Sequence, residues 1–378
     1  MTLNAKRVMA LAVAVCATAL AGCSGDPVSP QPAAISDPVG LNSDVASLST
    51  PLAGSVFQSF ATLTSSSTVS ARTTTVLSAM TPSRLALISR EAAAKKQALA
   101  IKSLRPSFLT APTGAGSLIP DTLWGRVYVW DTSTHSYVEG AATGGPATGV
   151  RFTLYAINPL TNQPAEPLNP IGYADLTDES TDTDYRLAVL VANGTTTYAD
   201  YLVTATATQT SFQAVAAGYI TDGTHRLDFN DSASASSTQI SVDFDLTLDN
   251  PAVAAHLHAG LAASNPSTVL TLTFTVTRGT ETVALNGTVG FTTTQSVASA
   301  SANLVVTVNG KQFATITGTV TSNSSATYTY KGPDRDLTTQ EKGAIQQLMA
   351  APAVLSAAAE PVFGPTEQMI GSNYSLGL

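Results

Sequence analysis

Of the four histidines in this 378-residue chain, two stand a single residue apart, in His256-Leu257-His258. On a β-strand, residues i and i+2 share a face about 7 Å apart. Two imidazoles so placed offer nitrogen ligands to one transition-metal ion, with His225 or Asp249 as a third ligand. On a helix the same rings diverge, and Asn250-Pro251 with Gly260 further on reads as a helix start and stop. Two half-buried histidines with structural roles are the plainer alternative to a metal site.

Carboxylates form the second concentration. Asp175, Asp178, Glu179, Asp182 and Asp184 crowd one short segment, and hard oxygen ligands at that density suit calcium, with Asp175, Asp178 and Asp182 as the candidate ligands. No glycine stands where an EF-hand loop requires one, so an ordinary solvated loop competes with that expectation. Asp334 and Asp336 repeat the idea more weakly. Catalytic signatures are missing from the sequence: there is no G-x-S-x-G, H-E-x-x-H, G-x-x-x-x-G-K or C-x-x-C. Ala254-Ala255-His256-Leu257-His258-Ala259-Gly260 resembles the His-x-His signature of CHRD domains, which implies an extracytoplasmic, strand-rich setting for both histidines.

Of the two cysteines, Cys23 carries the chemistry. Lys6 and Arg7 precede an apolar run, Val8 to Ala21, that is shorter than the roughly 20 residues a bilayer requires and so reads as a secretory h-region. Leu20-Ala21-Gly22-Cys23 then resembles the lipobox of bacterial lipoproteins. The resemblance implies cleavage before Cys23, diacylation of its thiol and acylation of the new amino terminus. Cys16 leaves with residues 1–22, so no disulfide holds the mature fold. Ser24, in place of an aspartate, implies export to the outer membrane in Gram-negative lipoproteins.

Behind these residues stand the elements that position them. Residues 23–54, with Pro27, Pro30, Pro32, Pro38 and Pro51 among Ser, Ala and Asp, are expected to form a disordered tether. Residues 55–110 are expected to be helical. Val56, Phe57, Phe60 and Leu63 lie at helical spacing, and Thr81-Pro82 opens a helix over 82–105. The region 120–210 turns to a period of two and, in the order Gly149 to Tyr155, Gly172 to Asp178, Tyr185 to Val189 and Tyr201 to Ala205, resembles transthyretin-like or carboxypeptidase-regulatory β-sandwiches, which implies a non-catalytic module. Residues 211–331 are expected to form an antiparallel sheet, clearest over 238–330, where Ile240, Val242, Phe244, Leu246 and Leu248 strictly oppose Ser241, Asp243, Asp245, Thr247 and Asp249, and Asn309-Gly310 marks a hairpin. The segment 332–378 returns to helix, with Thr338 and Glu341 as a capping box, Ile345, Leu348 and Met349 along one side before Pro352, and Val354 to Ala359 as a further turn.

Composition narrows the function. Lys plus Arg number 18 against 26 Asp plus Glu, and only 12% of residues are charged, so the clustered cations that bind phosphates are missing and nucleic acid is not an expected partner. The fold class expected is mainly β, antiparallel and sandwich-like, with flanking amphipathic helices. The function expected is that of a lipid-anchored envelope lipoprotein that binds a protein or glycan partner, or is structural, with no catalysis and no cofactor. Two alternatives stand beside it: an apolar-ligand or lipid carrier with a cupped sheet, and a metal protein using His256 and His258.

Overall fold

The computed structural model describes residues 33–64, 117–208, 211–236, 239–264, 267–294, 297–321 and 327–375. Cys23 and the helix expected over 82–105 lie outside them. Among the described residues, seventeen strands follow in chain order. The first six are β1 (Arg126–Asp131), β2 (Ser136–Thr143), β3 (Gly149–Tyr155), β4 (Ile157–Asn158), β5 (Gln163–Pro164) and β6 (Pro170–Asp178). Next come β7 (Tyr185–Asn193), β8 (Thr196–Ala207), β9 (Ser211–Thr221), β10 (Arg226–Ser236), β11 (Gln239–Leu248) and β12 (Val253–Ser264). The last are β13 (Ser267–Arg278), β14 (Glu281–Thr294), β15 (Val297–Val308), β16 (Lys311–Thr321) and β17 (Thr327–Lys331). β4 and β5 form a small ribbon, and the other fifteen make one sheet. From β6 to β17 each strand lies beside its neighbour in sequence, and β3, β1 and β2 extend the other side. All pairs in that sheet are antiparallel except β1 with β3.

The mainly-β expectation holds, and the two-sheet sandwich does not. Regions 120–210 and 211–331 are one sheet, since β8 and β9 pair directly across their boundary. Helices pack on part of the dry face. α1 (Pro38–Ser47) and α2 (Ser55–Ala61) pack against α3 (Thr339–Ser375), and α2 also meets β3 and β6. Phe363 of α3 packs edge-on against Tyr201 of β8, Phe229 of β10 and Phe244 of β11, at centroid distances of 5.6, 4.9 and 6.5 Å. The Tyr201 hydroxyl donates to the Val362 carbonyl at 2.8 Å. Gly218, opposite Tyr201 on β9, makes that placement possible, because a Cβ there would lie 2.5 Å from the Tyr201 Cβ. Removing a buried ring such as Phe363 costs about 3 to 5 kcal/mol in comparable cores.

The tether expectation fails from residue 33 onward. Asp37 caps α1 by accepting from the Gly40 amide at 2.9 Å, with Pro38 in the first turn. Pro51 likewise opens a short 3₁₀ turn, Pro51–Ala53. Both prolines read as breakers in the sequence, yet the first turn of a helix is where proline costs nothing. Leu41, Val45, Leu48 and Leu52 recur at three and four, and all are buried. They bury enough apolar surface to offset the ordering of this short segment. An ion pair seals the junction: Arg278, at the end of β13, bonds Glu281 at 2.7 Å, reaches Asp44 at 3.5 Å and donates to the Asp37 carbonyl at 2.8 Å.

The C-terminal helix runs unbroken through Pro352 and past the further turn expected at Val354 to Ala359. Pro352, Pro361 and Pro365 all lie inside α3, because Ile345, Leu348, Met349, Leu355, Val362 and Phe363 are buried. That burial outweighs the amide hydrogen bonds the prolines forgo. The capping box is as expected: the Thr338 amide donates to the Glu341 carboxylate at 2.8 Å, and the Glu341 amide donates to the Thr338 hydroxyl at 3.2 Å. Arg335 pairs with the same carboxylate. That hydrogen bond, opposed by burial and aided by Thr338, holds the Glu341 pKa down to about 2.

Candidate functional site

β11 and β12 form a hairpin in which Phe244 faces Leu257 and Leu246 faces Ala255 on the dry side. With a period of two, the intervening residues must share the opposite face. These are Asp243, Asp245, His256 and His258, so the strand reading of His256-Leu257-His258 is the one adopted and the helix reading is not. Register completes the arrangement by setting Asp245 opposite His256 and Asp243 opposite His258. Each imidazole Nδ1 lies 2.7 Å from its carboxylate Oδ1.

The result is two Asp–His pairs side by side on the wet face. The histidine side chains are 43% and 35% exposed, so the pairs are open to solvent rather than sealed. A carboxylate on Nδ1 holds the neutral ring in the tautomer whose Nδ1–H donates, which leaves the Nε2 lone pair directed away from the carboxylate. Thr275 and Thr273 flank the pairs on β13, and Asn230 and Ser232 flank them on β10. Beneath the His258 Nε2 lies Gly260, where even an added Cβ would stand 3.5 Å away.

The third ligands expected from the sequence are elsewhere. His225 Nδ1 pairs with Asp222 at 3.0 Å in the β9–β10 turn, and the Asp249 carboxylate accepts from the Arg226 amide at 2.8 Å. Among the described residues, no group of three or more His, Cys, Asp or Glu is arranged to hold a metal ion. The three-ligand centre is therefore corrected to a two-histidine arrangement with carboxylate partners. The sequence reading passed over Asp243 and Asp245 as those partners, though their alternation with Val242, Phe244 and Leu246 already set them on the wet face.

The acidic segment does not converge either, which corrects the calcium expectation. Asp175 and Asp178 are three residues apart on β6, an odd offset that sends them to opposite faces. Asp175 takes Arg151 in a bidentate pair at 2.6 and 2.7 Å. Hydrogen bonding to that carboxylate, against partial burial, raises the Arg151 pKa. Asp178 accepts from the Ser117 hydroxyl, from the Ile119 amide at 3.0 Å and from the Ser180 amide at 2.9 Å. Burial pushes its pKa up, but those bonds outweigh it and the net direction is down. Asp182 is exposed.

No family model, curated protein or solved structure matches the chain.

Proposed function

We propose that this chain is an envelope lipoprotein, held to a membrane by acyl chains on Cys23, whose folded unit works by binding or as structure rather than by catalysis. The observation that carries the reading is the series Lys6-Arg7, the apolar run Val8 to Ala21, and Leu20-Ala21-Gly22-Cys23. Three acyl chains exceed the two-signal threshold for stable anchoring. Ser24 points the anchor to the outer membrane. Ile35 is the first buried apolar residue described, so about a dozen residues separate it from Cys23, and they span at most about 40 Å.

The wet face supports a binding role. Thr271, Thr273, Thr275 and Thr277 on β13 lie beside Thr282, Asn286 and Thr288 on β14, then Ser301, Asn303 and Thr307 on β15, then Thr315, Thr317 and Thr319 on β16. Hydroxyls and amides without charge both donate and accept, as a glycan or a polar protein surface requires. Radiolabelled palmitate tests the anchor. Wild-type chain is expected to take up label and sediment with outer membranes, and Cys23→Ser to do neither; equal labelling of the two would overturn the reading.

A further inference from the structure

Twin Asp–His pairs make a stronger arrangement than two loose histidines. We infer that His256 and His258 bind one borderline divalent transition-metal ion through their Nε2 atoms, with Asp245 and Asp243 as the carboxylates that orient and charge-compensate the ligands. Three observations carry this. The rings leave one face of β12 two residues apart, about 7 Å, and an ion held at about 2 Å from both Nε2 atoms requires the His258 ring to turn from Gly260 towards His256. Each Nδ1 is committed to a carboxylate at 2.7 Å, the arrangement that metal-ligating histidines use to fix tautomer and ring orientation. Both side chains are more than a third exposed, so an ion and its waters have access.

The surroundings set the chemistry. Two imidazoles suit Cu(II), Ni(II) and Zn(II) rather than calcium or magnesium. Flanking Thr273, Thr275, Asn230 and Ser232 bring no further charge, so the two aspartates are the local anions that a divalent cation would neutralise. Gly260 leaves open the space over which the His258 Nε2 lies. Protein supplies two ligands, and water or a group of a bound partner fills the rest. An open position of that kind lets the ion bridge the sheet to an oxygen- or nitrogen-bearing partner. The inference stands apart from the lipid anchor, since neither needs the other.

Titration calorimetry of the full chain in detergent at neutral pH, with Cu(II), Ni(II), Zn(II) and Ca(II) each added alone, tests it. One Cu(II) per chain is expected in the micromolar range, tighter than Zn(II), with no calcium heat. His256→Ala/His258→Ala is expected to abolish that event. Asp243→Asn/Asp245→Asn is expected to weaken it about 10- to 100-fold, the usual effect of losing partners of this kind. Circular dichroism confirms that each variant is folded. Should the double alanine chain fail to fold, the Cu(II) electron paramagnetic resonance spectrum of the wild type decides alone: nitrogen hyperfine coupling from two imidazoles is expected. Oxygen-only coordination, binding that survives the double alanine change, or no saturable binding of any of these metals would each overturn the inference.

Discussion

Two sets of aspartates invite comparison. On β6 and after it the chain concentrates acidic residues, and on β11 it places only two that matter here. Two members of the denser set are consumed by the fold: Asp175 and Asp178 are each 8% exposed and bonded to Arg151 or to Ser117, Ile119 and Ser180. The sparser set stands in solvent, with side-chain exposures of 40% for Asp243 and 54% for Asp245, and aims two imidazoles. Register, not local density, decides which carboxylates are free to act on something other than the fold.

The comparison breaks most readily at Asp178. Alanine there strands the buried Ile119 amide and the half-buried Ser180 amide and is expected to cost about 3 kcal/mol in urea unfolding. A loss under about 1 kcal/mol would mean that this carboxylate is not structural. Arg151→Ala leaves Asp175 without its charge partner and is expected to cost about 2 kcal/mol, below the range of fully sealed pairs because Arg151 is 31% exposed. On the wet face, Asp243→Asn and Asp245→Asn are expected to change stability by less than about 0.5 kcal/mol. The same substitutions are the ones that weaken metal binding, so stability and binding report on different sets.

Acid sharpens the contrast. Glu341, held down to about 2, contributes stability that is complete above the ordinary glutamate value and is lost as pH falls from there towards about 2. Glu341→Gln is therefore expected to lower the melting temperature near neutrality, by the equivalent of about 1 kcal/mol for a lost cap. The gap between variant and wild type should close as acid protonates the carboxylate. A gap that stayed constant with pH would mean that the charge is irrelevant.

Much of this was legible from residue types. Strict alternation in Ile240 to Leu248 and in Leu270 to Val276 announced strands with one dry face, and the capping box at Thr338 announced α3. Three things were hidden. Pro38 and Pro51 look like tether residues until Asp37 and Thr50 are recognised as the positions before a helical turn. The length of α3 past Pro352 depends on the aromatic cluster of Tyr201, Phe229 and Phe244, more than a hundred residues earlier in the sequence. The single sheet depends on the direct pairing of β8 with β9, where composition suggested two bodies. Of the candidate site, the histidines and their shared face were readable, whereas their pairing with Asp243 and Asp245 needed the hairpin register.

Intact-mass analysis of the N-terminal peptide from membrane-extracted protein tests the anchor most directly. The expected peptide begins at Cys23 and carries a diacylglyceryl thioether and an N-acyl chain. A peptide with an unmodified Cys23 thiol, whether or not residues 1–22 had been removed, would contradict it.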